Sequence, residues 1–126
     1  MNFPENISYS EDHEWIAVDG TEARIGITDY AQRELGDIVF VDVPELNITL
    51  AKGEEFGSIE AVKTVSELRI PVSGEVLELN PELENNPELI NKDPYGKGWI
   101  IRIRFSDPNE FKELMNSKDY EAFIAK

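Results

Sequence analysis

The chain has 126 residues, of which 40% are hydrophobic and 10% aromatic, enough for one hydrophobic core and too few for two. It contains no cysteine and one histidine, which excludes disulfides and cysteine-ligated metals, and we expect no metal site. Twelve basic residues stand against 26 acidic ones, and the net charge of −14 argues against binding to nucleic acid or to an anionic membrane.

We expect residues 1–126 to form a single domain, because no linker rich in glycine, serine or proline divides the chain. No apolar run is long enough to span a bilayer, and the first residues resemble neither a secretion signal nor an organelle presequence. A presequence removed upstream of Met1 would leave the same pattern. The simplest expectation is a monomer in the cytoplasm.

The first predicted unit is a hairpin. Residues 15–18 and 22–27 resemble two strands. Between them, Asp19-Gly20 tolerates the positive φ angles that a tight turn requires.

A short helix and a third strand follow. Thr28 or Asp29 is a suitable N-cap, and Gly36 suits the position that ends the helix. Residues 38–43 then form a strongly β-prone run, which Pro44 ends.

The middle of the chain predicts further short strands. Residues 55–62 and 65–70 form a candidate hairpin around Lys63, and Gly74 marks a reversal before a strand over residues 75–79. Short strands separated by turns are typical of a sandwich or a flattened barrel, in which closure protects the strand edges.

The last third changes from strand to helix signals. Asn86 followed by Pro87 predicts one or two helical turns. Residues 99–105 predict a strand with apolar residues on one face and arginines on the other. Asp107-Pro108 then begins a helix, and Ser117 is a candidate N-cap for another. Helices beside antiparallel sheets indicate a mainly β, or α+β, domain.

Lys63 is the most informative residue. The stiff, β-branched Val62 and Val65 flank it, so a hairpin here would present its amine at a rigid, open point. Most exposed lysines serve only solubility. A catalytic lysine needs burial or a cationic neighbour, whereas Glu60 and Glu67 favour the charged form. This setting therefore favours enzymatic acylation of the amine over catalysis by it.

Four segments in this order resemble the H proteins of the glycine cleavage system, which are relatives of lipoyl and biotinyl carrier domains. They are His13-Glu14-Trp15, residues 60–67 around Lys63, residues 71–76, and residues 94–99. Biotin carriers usually flank their lysine with methionines, but this chain has Val62 and Thr64. The aspartate that usually precedes the lysine in 2-oxo acid dehydrogenase lipoyl domains is also absent. The resemblance covers nearly the whole chain.

The resemblance implies a barrel-sandwich hybrid of two antiparallel sheets with short helices and a C-terminal helix. It also implies an (R)-lipoyl group joined to Lys63 by an amide bond. The chain would be a carrier without catalytic residues, active in glycine catabolism and one-carbon metabolism. It would take the aminomethyl group from glycine decarboxylase to the folate-dependent aminomethyltransferase, and reducing equivalents to dihydrolipoamide dehydrogenase.

Other residues have weaker predicted roles. Glu60, Val62, Thr64 and Glu67 are candidates for recognition by lipoylating enzymes, or are ordinary residues flanking the turn. Glu14 is a candidate for holding the cationic aminomethyl amine when the arm docks, or is an ordinary carboxylate.

Other functions stay open at this point. The same lysine would serve a donor in lipoate relay or an H-like redox carrier for other partners. A purely structural interaction domain and an enzyme acting alone agree less well with the residues.

Overall fold

The computed structural model describes residues 1–125 and contains two antiparallel sheets with short helices. The strands are β1 (Ser8–Tyr9), β2 (Glu14–Asp19), β3 (Glu22–Ile27), β4 (Ile38–Asp42), β5 (Ile48–Leu50), β6 (Glu55–Ala61), β7 (Val65–Arg69), β8 (Gly74–Leu79) and β9 (Ile101–Phe105). The α-helices are α1 (Asp29–Leu35), α2 (Leu89–Lys92) and α3 (Ser117–Ile124), and 3-10 helices span Pro81–Leu83 and Pro108–Glu113. No helix within residues 1–125 combines the length and the apolar character needed to cross a membrane.

The two sheets differ in size. The larger has the strand order β1-β2-β3-β9-β8-β5, and the smaller has the order β4-β6-β7. Every pairing in both sheets is antiparallel. This sandwich-like arrangement confirms the predicted mainly β fold of two antiparallel sheets with a C-terminal helix.

Most of the helices and strands lie where the local sequence signals predicted them. The hairpin of β2 and β3 turns at residues 20–21, since Asp19 pairs with Glu22. Thr28 caps α1 by accepting a hydrogen bond from the Ala31 N–H at 3.1 Å. Gly36 ends that helix with φ 79° and ψ −154°, a backbone conformation that essentially only glycine adopts.

Some boundaries differ from the predictions. Asn116, not Ser117, caps α3, because its side-chain oxygen accepts the Asp119 N–H at 2.8 Å. The helix after Asp107 is a 3-10 helix, and α2 begins at Leu89 instead of directly after Asn86.

Gly74, which was predicted to mark a chain reversal, is a strand residue instead. Gly74 is the first residue of β8 and pairs with Leu50 on one side and Phe105 on the other. A side chain at this position would collide with the backbone of Arg104, so the glycine permits close approach between strands.

Two hydrophobic clusters stabilise the fold. The larger lies between the sheets and is mainly aliphatic, with Ile25, Ile59 and Ile103 fully buried. The smaller is aromatic and consists of Tyr9, Trp15, Trp99 and Tyr120. Trp99 was predicted on the same strand face as Ile103, but β9 begins only at Ile101 and Trp99 packs in the aromatic cluster.

The aromatic cluster attaches α3 to the sheets. Tyr120 is fully buried and stacks on Tyr9 with 4.8 Å between ring centroids. Its hydroxyl lies 2.8 Å from Thr28 Oγ1 and 2.9 Å from His13 Nδ1. The C-terminal helix is therefore connected to the N-cap of α1 by packing and by buried polar contacts.

Gly57 brings β4 and β6 into close contact. A Cβ at this position would overlap the backbone carbonyl oxygen of Asp42. Gly57→Ala should therefore lower the free energy of unfolding by about 1–3 kcal/mol, because the strands must shift to accept the methyl group. Chemical denaturation measures this change. The neighbouring Ser58→Ala is the matched control and should change stability by less than about 0.5 kcal/mol; equal effects of the two substitutions would show that the contact imposes no steric limit.

Candidate functional site

Lys63 lies at the tip of the hairpin formed by β6 and β7. The Ala61 N–H donates a hydrogen bond to the Thr64 carbonyl at 2.8 Å and closes the turn. The Val62 N–H donates to the carbonyl of Asp37 at 3.0 Å, which ties the tip to the segment between α1 and β4. The backbone that carries Lys63 is therefore anchored on both sides.

The Lys63 side chain is exposed and lies over the end of α1. A methyl group built on Gly36 would lie 3.6 Å from Lys63 Cε and 4.0 Å from Nζ. Among residues 1–125, no carboxylate oxygen lies within ion-pair distance of this amine; Glu67 instead pairs with Arg69 at 2.6 Å. Acylation of Lys63 would consequently break no ion pair seen here.

The predicted recognition residues surround the lysine. Glu60, Val62, Thr64 and Glu67 are all exposed, and Val62 has a relative exposure of 75%. The structure thus brings these four residues to one surface at the tip. Their part in recognition stays a prediction.

A groove of about 240 Å³ lies beside the hairpin, between it, α1 and the turn before β2. Its base is apolar and is formed by Ile27, Ala31, Leu35, Ile59 and Leu68. The exposed carboxylates among its lining residues are Asp12, Glu34 and Glu67. Because Leu35 precedes Gly36, over which the Lys63 stem lies, the groove is adjacent to the lysine. It offers an apolar surface with negative charge around it.

Glu14 is buried, with 2% relative exposure, and does not line this groove. Its Oε2 accepts the Arg69 backbone N–H at 2.8 Å, whereas Oε1 is buried without a hydrogen-bond partner in the described part of the chain. Burial raises the pKa of Glu14 well above its usual range and outweighs the opposing effect of the Arg69 N–H. Glu14 is therefore not the ordinary surface carboxylate that the sequence allowed.

His13 is not a free surface side chain either. It adopts a positive φ of 66°, and its Nδ1 contacts the Tyr120 hydroxyl. Burial lowers the pKa of His13. The partner of this ring nitrogen is a residue of the C-terminal helix, 107 positions further along the chain.

Sequence reasoning missed the residues of α1 and the segment after it that complete the site. Glu34 lines the groove, Gly36 makes room for the lysine stem, and the Asp37 carbonyl anchors the tip. They lie about thirty residues from Lys63 along the chain. The only sequence signal was Gly36, which predicts the end of the helix but not that Lys63 lies beside it.

An antiparallel sandwich that presents one exposed lysine at an anchored hairpin tip has the architecture of a carrier domain for a covalently attached arm. The sequence profile described as "Glycine cleavage H-protein" matches residues 7–126. The chain belongs to this family, which confirms the resemblance carried by the four sequence segments.

Individual relatives agree over nearly their full lengths. The chain is 54% identical over 124 residues to a glycine cleavage system H protein of Bacteroides thetaiotaomicron, covering 98% of each chain. It is 52% identical to the H protein of Halothermothrix orenii, covering 98% of this chain and 97% of the relative. The crystal structure of a glycine cleavage system H protein from Mycobacterium marinum superposes with a TM-score of 0.89 at 37% identity, covering 98% of this chain and all of that one.

Burial of Glu14 predicts a measurable pH dependence. Its pKa in the folded chain lies above the unfolded value of about 4.3. The stability it contributes is thus present below that pH and is lost as pH rises through the folded pKa. Relative to Glu14→Gln, the parent should lose up to about 1.4 kcal/mol of unfolding free energy per pH unit in this window.

Urea denaturation of both proteins between pH 4 and pH 8 measures the difference. Glu11→Gln, which changes an exposed carboxylate three residues away, is the matched control and should run parallel to the parent. If the Glu14→Gln curve also runs parallel to the parent, burial does not oppose ionisation of Glu14.

Proposed function

We propose that Lys63 is the attachment point of the lipoyl group and that the groove beside it receives the arm. The chain is an H protein of the glycine cleavage system, a lipoyl carrier and not an enzyme in its own right. The observation that carries the proposal is the exposed Lys63 amine on a hairpin tip fixed by two backbone hydrogen bonds.

The residues around Lys63 are suited to such a group. The nitrogen is open to an activated acyl donor; as the amide bond forms, the leaving group of the donor departs and the ammonium gives up its protons. No ion pair of the described residues is lost, and the anchored backbone need not move. When bound, the lipoyl group supplies a disulfide that accepts an aminomethyl group and reducing equivalents, chemistry that a chain without cysteine lacks.

The groove suits the loaded arm because it combines apolar contact with negative charge. Ile59 and Leu68 offer an apolar base for the acyl chain, and the exposed carboxylates of Asp12 and Glu34 attract a cationic amine.

Glu14 lies behind this surface and has one carboxylate oxygen without a partner. An approaching cation would favour its charged form and thereby offset the effect of burial. A small shift of the Asp12-His13 turn would be needed for direct contact, since Glu14 does not line the groove in this conformation.

Membership of the glycine cleavage system implies work with several enzymes. We assign to these partners glycine decarboxylase, the folate-dependent aminomethyltransferase, dihydrolipoamide dehydrogenase and the lipoylating enzymes, all in the cytoplasm. The net charge of −14 favours partner surfaces that are basic, since charge complementarity speeds encounter and suppresses wrong partners. A short tether adds an effective concentration of about millimolar order once one partner is engaged.

Lys63→Arg tests the attachment point. Arginine keeps the charge but does not form the lipoyl amide, so the variant should fold normally and carry no adduct after production in cells supplied with lipoate. Intact-protein and peptide mass spectrometry measure this result. Lys118→Arg, at another exposed lysine, is the matched control and should be modified like the parent; an adduct of unchanged yield on the Lys63→Arg chain would contradict the assignment.

Glu14→Gln tests the docking of the loaded arm. The variant should accept the lipoyl group normally but should release the aminomethyl group faster, by about tenfold if a charge-assisted hydrogen bond worth about 1.5 kcal/mol is lost. Mass spectrometry over time, after loading by glycine decarboxylase, measures the lifetime. Glu11→Gln serves as control, and equal lifetimes of the Glu14→Gln protein and the parent would remove this role.

The same loading step distinguishes the alternative functions. A donor in lipoate relay or a redox carrier for other partners would carry the lipoyl group on Lys63 but would not be loaded by glycine decarboxylase.

A further inference from the structure

Exposed apolar side chains are concentrated near Lys63. Within residues 1–125 the exposed large hydrophobic residues are Met1, Val18, Val39, Phe40, Leu46, Val62 and Val65. Five of these seven lie on β4, in the loop after it, or on the hairpin of β6 and β7. Exposed apolar side chains grouped on neighbouring strands in this way are typical of a binding site for another molecule.

A β-bulge in β4 creates much of this surface. The register with β6 shifts between Ile38 and Phe40. Side chains alternate along a regular strand, but here Val39 and Phe40 are both exposed, at 46% and 55%, between the buried Ile38 and Val41. Bulges often re-aim side chains next to functional sites. This bulge exposes an aromatic ring on the strand that follows the Asp37 anchor of the tip.

The outer face of the three-stranded sheet has an ordered pattern. The row nearest the lysine consists of Phe40, Glu60 and Val65, paired across the strands. The next row consists of Asp42, Ser58 and Glu67. An apolar row with one carboxylate is thus followed by an acidic row.

The apolar surface continues on the other side of Phe40. There a groove of about 240 Å³ is lined by Phe40, Val41 and Asp42 and by Leu79, Leu83 and Glu84. Phe40 therefore stands between the row beside the lysine and a second apolar recess, which also has acidic residues at its border. A partner could contact both parts at once.

We propose that this outer face, anchored by Phe40 and Val65, is the docking surface for the enzyme that acylates Lys63. The matching surface of that enzyme would be apolar, with basic groups opposite Glu60 and Asp42. This inference rests on the proposed attachment at Lys63 and adds β4, which lies outside the hairpin, to the recognition surface.

The position of Lys63 Nζ favours the acylating enzyme over the other partners. In acylation the reacting atom is Nζ itself, so the enzyme must reach the hairpin tip and contact the rows beside it. The enzymes that act on the sulfurs react at the far end of the arm and can remain away from the sheet. Glu60 and Asp42, which lie in adjoining rows, supply charge complementarity, which sets partner choice and encounter rate.

Acylation kinetics test the inference. The unmodified full chain would be incubated with a purified lipoate–protein ligase, lipoate and ATP. The ligase converts the lipoate carboxylate to an acyl adenylate with release of pyrophosphate; the Lys63 amine then displaces AMP, and an amide bond forms with loss of a proton. Phe40→Ser should lower kcat/KM for the chain by about tenfold, mainly through KM, because an aromatic anchor is lost.

Matched variants separate docking from general surface effects. Val65→Ser should lower kcat/KM by a smaller factor, whereas Val18→Ser, at a similarly exposed valine on β2 of the other sheet, should leave it unchanged. Asp42→Lys should slow acylation and Asp19→Lys should not. Thermal denaturation of each variant should show a folded chain with a midpoint near that of the parent.

The possible outcomes are distinct. If the parent is acylated on Lys63 and Phe40→Ser is acylated at the same rate at limiting chain concentration, the docking inference fails and the proposed function stands. If the ligase does not modify Lys63 of the parent, the proposed function fails as well. Unchanged acylation combined with slower loading by glycine decarboxylase would assign the face to that enzyme. A concentration-dependent dimer that Phe40→Ser abolishes would assign it to a second copy of the chain, and both results would overturn the inference.

Discussion

Backbone hydrogen bonds anchor the hairpin tip, and the geometry of the site depends on this anchoring. The Val62 N–H reaches the Asp37 carbonyl only because Gly36 ends α1 with a positive φ and directs the chain into β4. Each such bond contributes only about 0.5–1.5 kcal/mol. Their value is geometric, since they hold the backbone of Lys63 in a fixed place while its side chain stays free.

The three-stranded sheet separates two tasks on its two faces. Its inward side contributes Ile59 and Leu68 to the groove beside α1, where an attached arm can rest. Its outward side presents Phe40 and Val65, where an acylating enzyme can dock. An arm lying in the groove would leave the outer face open. Apart from Glu67, which lines the groove and also belongs to a row of the outer face, docking of an enzyme and binding of the arm therefore use different side chains.

The exposed carboxylates and the buried carboxylate of Glu14 have different roles. Most acidic residues are exposed and give the surface a negative field, whereas Glu14 is enclosed near the groove with an unpartnered oxygen. In the folded chain an unpaired buried carboxylate is costly to ionise. Because Glu14 is enclosed, a nearby cation would favour its ionisation much more strongly than that of a solvated surface carboxylate.

The sequence predicted the fold class well and singled out Lys63 as the candidate attachment point, because both inferences depend on local signals. Turn residues, β-branched runs and the segments around Lys63 lie within short stretches of chain. The positions of Glu34, Gly36 and Asp37 next to the hairpin depend on how α1 packs against it. No local sequence pattern predicts this contact between distant parts of the chain. The sequence did not predict the bulge at Phe40. Residues 38–43 are almost all apolar, so no alternation of polar and apolar residues marks the point at which the register shifts. Glu14 could be named from its segment, but its burial depends on the tertiary packing that brings the Arg69 backbone, 55 positions away, onto its carboxylate.

Amide hydrogen exchange at the tip, followed by NMR before and after lipoylation, measures most directly whether the hairpin tip is preformed. Native-state exchange reports how often each hydrogen bond opens. If the tip is a preformed platform, the amides of Ala61 and Val62 are protected in the unmodified chain and keep the same protection once Lys63 carries its group. Exchange at the rate of an unstructured peptide, or protection that arises only after modification, would show that the tip is not preformed.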